Sequence, residues 1–251
     1  MIYCGKMDMI KKMVIGLCLA SLVGCTAIQR KFVFYPSHEN RLSSLAPWML
    51  DGRIIGYSRQ ASSPETVWLM LHGNAGQASD RSYAIPSFSG HDSVFILEYP
   101  GYGLREGKPS KASIDAAAAE AYRLLRKTFP KAPVCVMGES IGSGPACSLA
   151  SQTQPPDKIV LVVPFDKLTR VAADHVPFLP VGLIWGSSWD NIRSLARYKG
   201  PVDIYGALQD TVIPVEHAKK LASSLPSAKF HSIQGGHNDW ARDGRVEIRN
   251  P

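Results

Sequence analysis

Much that would direct a reading elsewhere is scarce in this sequence. Of its 251 residues only five are cysteines, three of them within the first 25 positions. That leaves Cys135 and Cys147, too few for a disulfide framework. Both sit among apolar or small neighbours, which predicts two buried free thiols rather than a bridge. Lysine and arginine outnumber acidic residues to give a net charge of +7, but no block or stripe of them forms, so the footprint of a nucleic-acid-binding surface is missing. Neither G-x-G-x-x-G nor G-x-x-x-x-G-K-[ST] follows a strand pattern, which removes the common nucleotide-binding signatures. No metal-ligand spacing stands out, and neither a cofactor nor a metal is expected. Internal repeats and low-complexity tracts are absent as well.

The uncharged, mostly apolar run at residues 13–23 has 11 residues. A membrane-spanning helix needs about 20. Preceded by Lys6, Lys11 and Lys12 and followed by Gly24-Cys25, the run has the layout of a secretory signal. Met7 or Met9 would serve equally well as its start. Leu22-Val23-Gly24-Cys25 resembles the lipobox of bacterial lipoproteins, in which the cysteine is diacylated and becomes the new N-terminus. The resemblance implies a signal peptide at 1–24, lipidation of Cys25 and a mature chain of 25–251 whose residues 25–31 form a tether. An ordinary secretory signal, with a secreted or periplasmic product, is the alternative. Thr26 stands where an aspartate would retain a Gram-negative lipoprotein at the inner membrane, so the expected location is the outer membrane, on its periplasmic face. Loss of residues 1–24 lowers the net charge from +7 to +5. Gln29-Arg30-Lys31 is then a solvated tether or a contact for anionic headgroups.

The remaining sequence, 45% hydrophobic overall, is enough for one domain with a sizeable core. Apolar runs at 66–71, 93–97, 133–137 and 158–163 are continuous rather than alternating, as doubly covered parallel strands require. Further strands are expected at 31–35, 53–57, 202–205 and 229–233; residues 40–50 have no clear assignment. Between the strands lie helical stretches from residue 79 toward 85, over about 15 residues after Pro109 with Ile114, Ala118, Ala121, Leu125 and Thr128 on one face, at 143–152, and at 215–224. Strand and helix alternate. This predicts an α/β fold with a mostly parallel sheet of about eight strands and helices on both faces, whose working residues lie at the carboxyl ends of the strands.

The sequence is organised around Gly138-Glu139-Ser140-Ile141-Gly142. Following one strand run and preceding a small-residue segment, it reads as strand, sharp turn and helix, with a serine held in a strained conformation at the apex. A lone G-x-S-x-G arises by chance in roughly one chain in ten of this length, given ordinary residue frequencies. Its partners therefore decide its meaning. Serine needs a base and the base needs an orienting carboxylate. Beyond the strand at 202–205 lies Asp210, and beyond the last strand lies His237, giving the order Ser140, Asp210, His237. Asp166, just past the strand ending at 163, is the rival acid. Asp239 is placed to cap the turn after His237, and Asp203 falls inside a strand. His72-Gly73-Asn74-Ala75-Gly76 supplies a second turn, in which His72 braces the backbone. The N–H groups of Asn74, or of Gly73, together with Ile141 are the expected donors to the oxygen that becomes negative when serine attacks a carbonyl.

With Phe34-Tyr35-Pro36, Glu98-Tyr-Pro-Gly-Tyr-Gly103, Gly206 and Gly236-His237-Asn238-Asp239 added, the sequence resembles the α/β-hydrolases from about residue 32 to 240, and within them the Bem46-like group (the ABHD13- and ABHD17-like proteins). That resemblance implies an α/β-hydrolase fold with a small cap or none, and a serine esterase or thioesterase. Its substrate would be a small-molecule or lipid-like acyl ester or thioester, including an acylated protein. Acyl transfer or amide hydrolysis would use the same residues, and a non-catalytic binding role is the reading of a different class. Two departures from the group stand out. Only 14 residues follow His237, so the helix that usually covers this edge is short or missing, and Pro100 replaces the arginine common in relatives. Between Pro164 and Pro201, Val176, residues 177–185 and Trp189 either pack on the sheet or line an acyl pocket.

Overall fold

The computed structural model of the chain describes residues 33–39, 42–176 and 187–251. The signal peptide, Cys25, residues 25–31 and residues 177–185, to which the sequence assigns a secretory leader, a lipid anchor, a tether and a candidate lid, lie outside them.

Ten strands are present among the described residues: β1 (Tyr35–Pro36), β2 (Ala46–Leu50), β3 (Arg53–Arg59), β4 (Val67–Leu71), β5 (Ala75–Gly76), β6 (Ser93–Leu97), β7 (Val134–Glu139), β8 (Ile159–Val162), β9 (Val202–Ala207) and β10 (Ala228–Ile233). Eight form the main sheet, in the order β10-β9-β8-β7-β4-β6-β3-β2. The six strands from β10 to β6 run parallel, and β3 and β2 are antiparallel additions at one edge. Every residue of β4, β6, β7 and β8 is buried, which is why their runs are apolar apart from Ser93 and Glu139 at strand ends.

Among the described residues the α-helices are α1 (Lys111–Thr128), α2 (Ser143–Ser148), α3 (Leu168–His175), α4 (Asn191–Leu195) and α5 (Val215–Ser223). On α1, Ile114, Ala118, Ala121 and Leu125 face the core as the spacing predicts, joined by Ala117 and Tyr122. Thr128 instead is exposed, its hydroxyl donating to the Leu124 carbonyl. The opposite face of the sheet is covered differently. The segment expected as a short helix from residue 79 is a 3-10 helix, Ala78–Ser87, and beyond His237 a single 3-10 turn, Arg242–Gly244, leads into chain without helix or strand. There Trp240, Val246 and Ile248 fill the core against Trp68, Met70 and Ile96, and the Ile248 N–H donates to the Ser87 carbonyl at 2.8 Å. Buried apolar side chains on chain without regular structure thus stand where the group usually has a covering helix, which the sequence predicts to be short or missing.

Two edges depart from expectation. Residues 46–50 form β2, and the pair Tyr35–Pro36 leaves the main sheet to run parallel to Ala75–Gly76. Chain order around the centre creates the site. From β4 the chain passes to β6 on one side, then crosses back to β7 on the other, so the loops after β4 and β7 diverge above adjacent strands and leave a crevice.

Candidate active site

Ser140 stands at the top of β7 with φ of 54°, a left-handed conformation that costs a non-glycine residue about 1 kcal/mol or more. The strain persists because the surroundings leave no alternative. A Cβ on Gly138 would lie 2.7 Å from the Gly142 carbonyl oxygen, and one on Gly142 would run into the Leu71 and His72 carbonyls of the neighbouring strand end. Close packing of β7, the turn and α2 therefore fixes where the hydroxyl points.

The hydroxyl meets His237. Its Oγ lies 2.8 Å from Nε2, and on the other side of the ring Nδ1 lies 2.7 Å from Asp210 Oδ2. The second oxygen of Asp210 accepts the Val212 and Ile213 N–H groups, each at 2.8 Å. A carboxylate oxygen can only accept, so Nδ1 carries a proton and Nε2 is free to accept from the serine. Asp210 and Ser140 are buried, while the His237 side chain keeps 11% of its surface exposed. His237 reaches this place on the turn at Gly235-Gly236, where Asp239 caps the chain as expected by accepting the Gly236 N–H at 2.9 Å.

Asp166 is engaged elsewhere. It pairs with His217 on α5, whose Nδ1 is 2.7 Å away, and with Arg170 on α3. Burial works to raise its carboxyl, but the hydrogen bonds from His217, Arg170 and the Lys167 N–H outweigh this and hold it at about 2. Asp203 pairs with Lys158 and His231.

Above β4, His72 is fully buried and braces the turn. Its Nδ1–H donates to the Gly73 carbonyl at 2.7 Å and its ring stacks on Tyr99 at 4.2 Å. Tyr99 and Tyr102 donate their hydroxyls to the His72 and Asn74 carbonyls, each at 2.8 Å. This gives Glu98-Tyr-Pro-Gly-Tyr-Gly103 a physical role, support of the turn from below, that the residues alone did not disclose. Of the three donors expected for an oxyanion, Gly73 is already committed, its N–H pointing to Glu139 Oε2 at 3.3 Å. The Asn74 N–H has no partner among the described residues, and Ile141 lies in the first turn of a helix, where backbone donors lack intrahelical acceptors.

Cys135 and Cys147 are free and buried. Burial pushes the Cys135 thiol up to about 12 and raises Cys147 as well, so both are inert at neutral pH. Trp189 packs edge-on against Phe34 and donates to Asp115 at 2.8 Å. It belongs to the core rather than to an acyl pocket.

No protein-family model matches the chain. It is 29% identical to an uncharacterized protein of Mycobacterium tuberculosis over 88% of this chain and 84% of the other. Bem46 of Schizosaccharomyces pombe is 32% identical over 75% of this chain and 68% of its own length, and the lysophosphatidylserine lipase ABHD12 of Danio rerio 30% over 71% and 53%. An esterase of Pyrococcus furiosus superposes with a TM-score of 0.62 at 14% identity, over 84% of this chain and 92% of that one. An α/β-hydrolase of Vibrio vulnificus does so with a TM-score of 0.59 at 21%, over 76% and 71%. In sequence through Bem46, and in its sheet order and strand-turn-helix elbow, the chain belongs to the α/β-hydrolase family.

Proposed function

We propose that this chain hydrolyses carboxylic esters or thioesters through an acyl-serine intermediate, with Ser140 as nucleophile, His237 as base and then acid, and Asp210 as its orienting carboxylate. The observation that carries the reading is the unbroken line of hydrogen bonds from Ser140 through His237 to Asp210. As Ser140 Oγ bonds to the acyl carbon, its proton passes to His237 Nε2 and the carbonyl electron pair moves onto oxygen. The N–H groups of Asn74 and Ile141 are the donors for that oxygen. When the pair returns, the bond to the alcohol or thiol breaks and His237 gives the leaving group its proton. Water then repeats the sequence on the acyl-serine, releasing the carboxylic acid and restoring Ser140.

A fluorophosphonate probe tests this directly. The purified mature protein should be labelled, with the adduct on the peptide containing Ser140; an adduct elsewhere, or none, rejects the assignment. Turnover of short-chain esters, long-chain esters and acyl thioesters then separates the substrate classes. Because the zebrafish relative is named a lysophosphatidylserine lipase, lysophosphatidylserine is the first long-chain ester to test.

Lipidation of Cys25 belongs to the same proposal. Tyr35–Pro36 pairs with Ala75–Gly76 beside Asn74, so the chain enters the fold at the mouth of the site. Cys25 to Phe32, eight residues, reach at most about 28 Å when extended. An anchor there would hold the mouth near the bilayer, where acyl lipids and acylated proteins are found. Cys25→Ser should shift the protein from the membrane to the soluble fraction, and unchanged retention would reject the anchor.

A further inference from the structure

Glu139, the last residue of β7, is a buried carboxylate one position before the nucleophile. The hydrolytic scheme above gives it no task. Its oxygens nevertheless collect donors from three segments of the site. The Gly73 N–H donates to Oε2 at 3.3 Å, Tyr83 donates its hydroxyl at 2.9 Å to Oε1, and the Trp240 indole N–H donates to Oε1 at 3.1 Å. Gly73 immediately precedes Asn74, the expected oxyanion donor, and Trp240 lies three residues beyond His237. Tyr83 accepts in turn from Arg81 at 3.1 Å, and its ring meets Trp240 edge-on at 5.8 Å.

A carboxylate is the one side chain that only accepts, and it does so at both ends. Glutamine would turn an amide N–H toward at least one of the three donors, and alanine would leave all three facing a void. Burial, and then the nearby Glu139 charge, raise the Tyr83 hydroxyl far above its ordinary value, so it stays protonated and remains a donor.

We infer that Glu139 is a positioning residue: by holding the Gly73 N–H it aims the adjoining peptide so that Asn74 faces the developing oxyanion, and by holding Trp240 it fixes the turn that presents His237. The role rests on the hydrolase reading above. Both tethers act on groups whose placement matters most in the transition state, so loosening them raises the chemical barrier while substrate binding is kept.

Glu139→Gln, measured on the best ester or thioester, should lower kcat between about tenfold and about a hundredfold, the scale of a misplaced catalytic group. KM should stay within about twofold, and affinity for a boronic acid that forms the tetrahedral adduct should fall in parallel with kcat/KM. Tyr83→Phe removes one tether while keeping the ring, Trp240→Phe removes another while keeping a smaller aromatic ring, and both should give smaller losses of the same kind. In ¹⁵N-tryptophan-labelled protein, the indole N–H resonance of Trp240, assigned by its absence from Trp240→Phe, should move upfield in Glu139→Gln. An unmoved resonance overturns the tether itself, whether or not the parent is active. A moved resonance with kcat unchanged, or with the loss confined to KM, overturns the positioning role. If the parent is not labelled by the fluorophosphonate, the hydrolase reading and the catalytic role of Glu139 fall together, and the resonance still decides whether the tether exists.

Discussion

Ser140→Ala should remove turnover by about 10⁶-fold, the scale at which loss of a serine nucleophile leaves only binding and oxyanion stabilisation. The fluorophosphonate adduct should disappear with it. Only one oxygen is removed, from a side chain already buried and already held in the left-handed conformation. Alanine fills the same place with the same backbone strain, so the melting temperature should stay within a few degrees, and lost activity cannot be assigned to lost fold. The further measurement is His237→Ala with the double variant. Groups that transfer one proton between them act as a unit, so the double variant should be no slower than either single one. Two independent losses that multiply would mean that Ser140 and His237, though 2.8 Å apart, do not share a step. Persistent labelling of Ser140→Ala would place the nucleophile elsewhere.

What could be read in advance follows from how local each constraint is. The elbow is legible because strain at one residue demands glycine at Gly138 and Gly142, all within five positions. The parallel strands are legible because burial on both faces forces unbroken apolar runs. β2 is not, since an edge strand buries little: Trp48 alone is fully inside, and Pro47 breaks the strand signal. Its one local mark is Asp51-Gly52, where both residues have positive φ and turn β2 into β3. The covering chain after Gly244 leaves even less trace, since Val246 and Ile248 alternate with Glu247 and Arg249 over only four residues.

Side-chain partnerships across the fold are the least legible. Asp166 and Asp210 both follow strands at the active edge, and the sequence ranks Asp210 first with Asp166 as its rival. The choice is made by which histidine each one meets, over separations of 51 and 27 residues. Glu139 gathers donors from positions 66, 56 and 101 residues away. Its only signal in the sequence is a charged residue closing an otherwise apolar strand. A buried carboxylate must find donors, and that requirement says a cluster exists without saying which residues build it.

The two aspartates make the second large prediction, because they should respond to the same substitution in opposite ways. In Asp210→Asn the Val212 and Ile213 N–H groups, which now donate to Oδ1, still require an acceptor and claim the amide oxygen. The amide NH₂ is then turned toward His237 Nδ1, which must accept. Its proton moves to Nε2, where it faces Ser140 and leaves no base for the hydroxyl. With the geometry kept and the tautomer reversed, kcat should fall by about 10⁴-fold, close to the known cost of this exchange in another serine hydrolase, while stability changes little. In Asp166→Asn, kcat should stay within a few-fold and stability should fall, since a charged partner of His217 and Arg170 is lost. That loss has a pH window. Asp166 is held below its unfolded value, so its contribution is present above about pH 4 and fades as pH falls through about 2. His217 is raised, by its hydrogen bond to Asp166 first, so the pair's contribution is complete below about pH 6.5 and fades as pH rises through the folded value. The gap in unfolding free energy between parent and Asp166→Asn should therefore be widest between about pH 4 and 6.5, close at lower pH, and only narrow at higher pH, where Arg170 and the Lys167 N–H still hold the carboxylate. Should Asp166→Asn cost the 10⁴ in turnover and Asp210→Asn only stability, the acid of the site is Asp166, and the contact between Asp210 and His237 has no catalytic meaning.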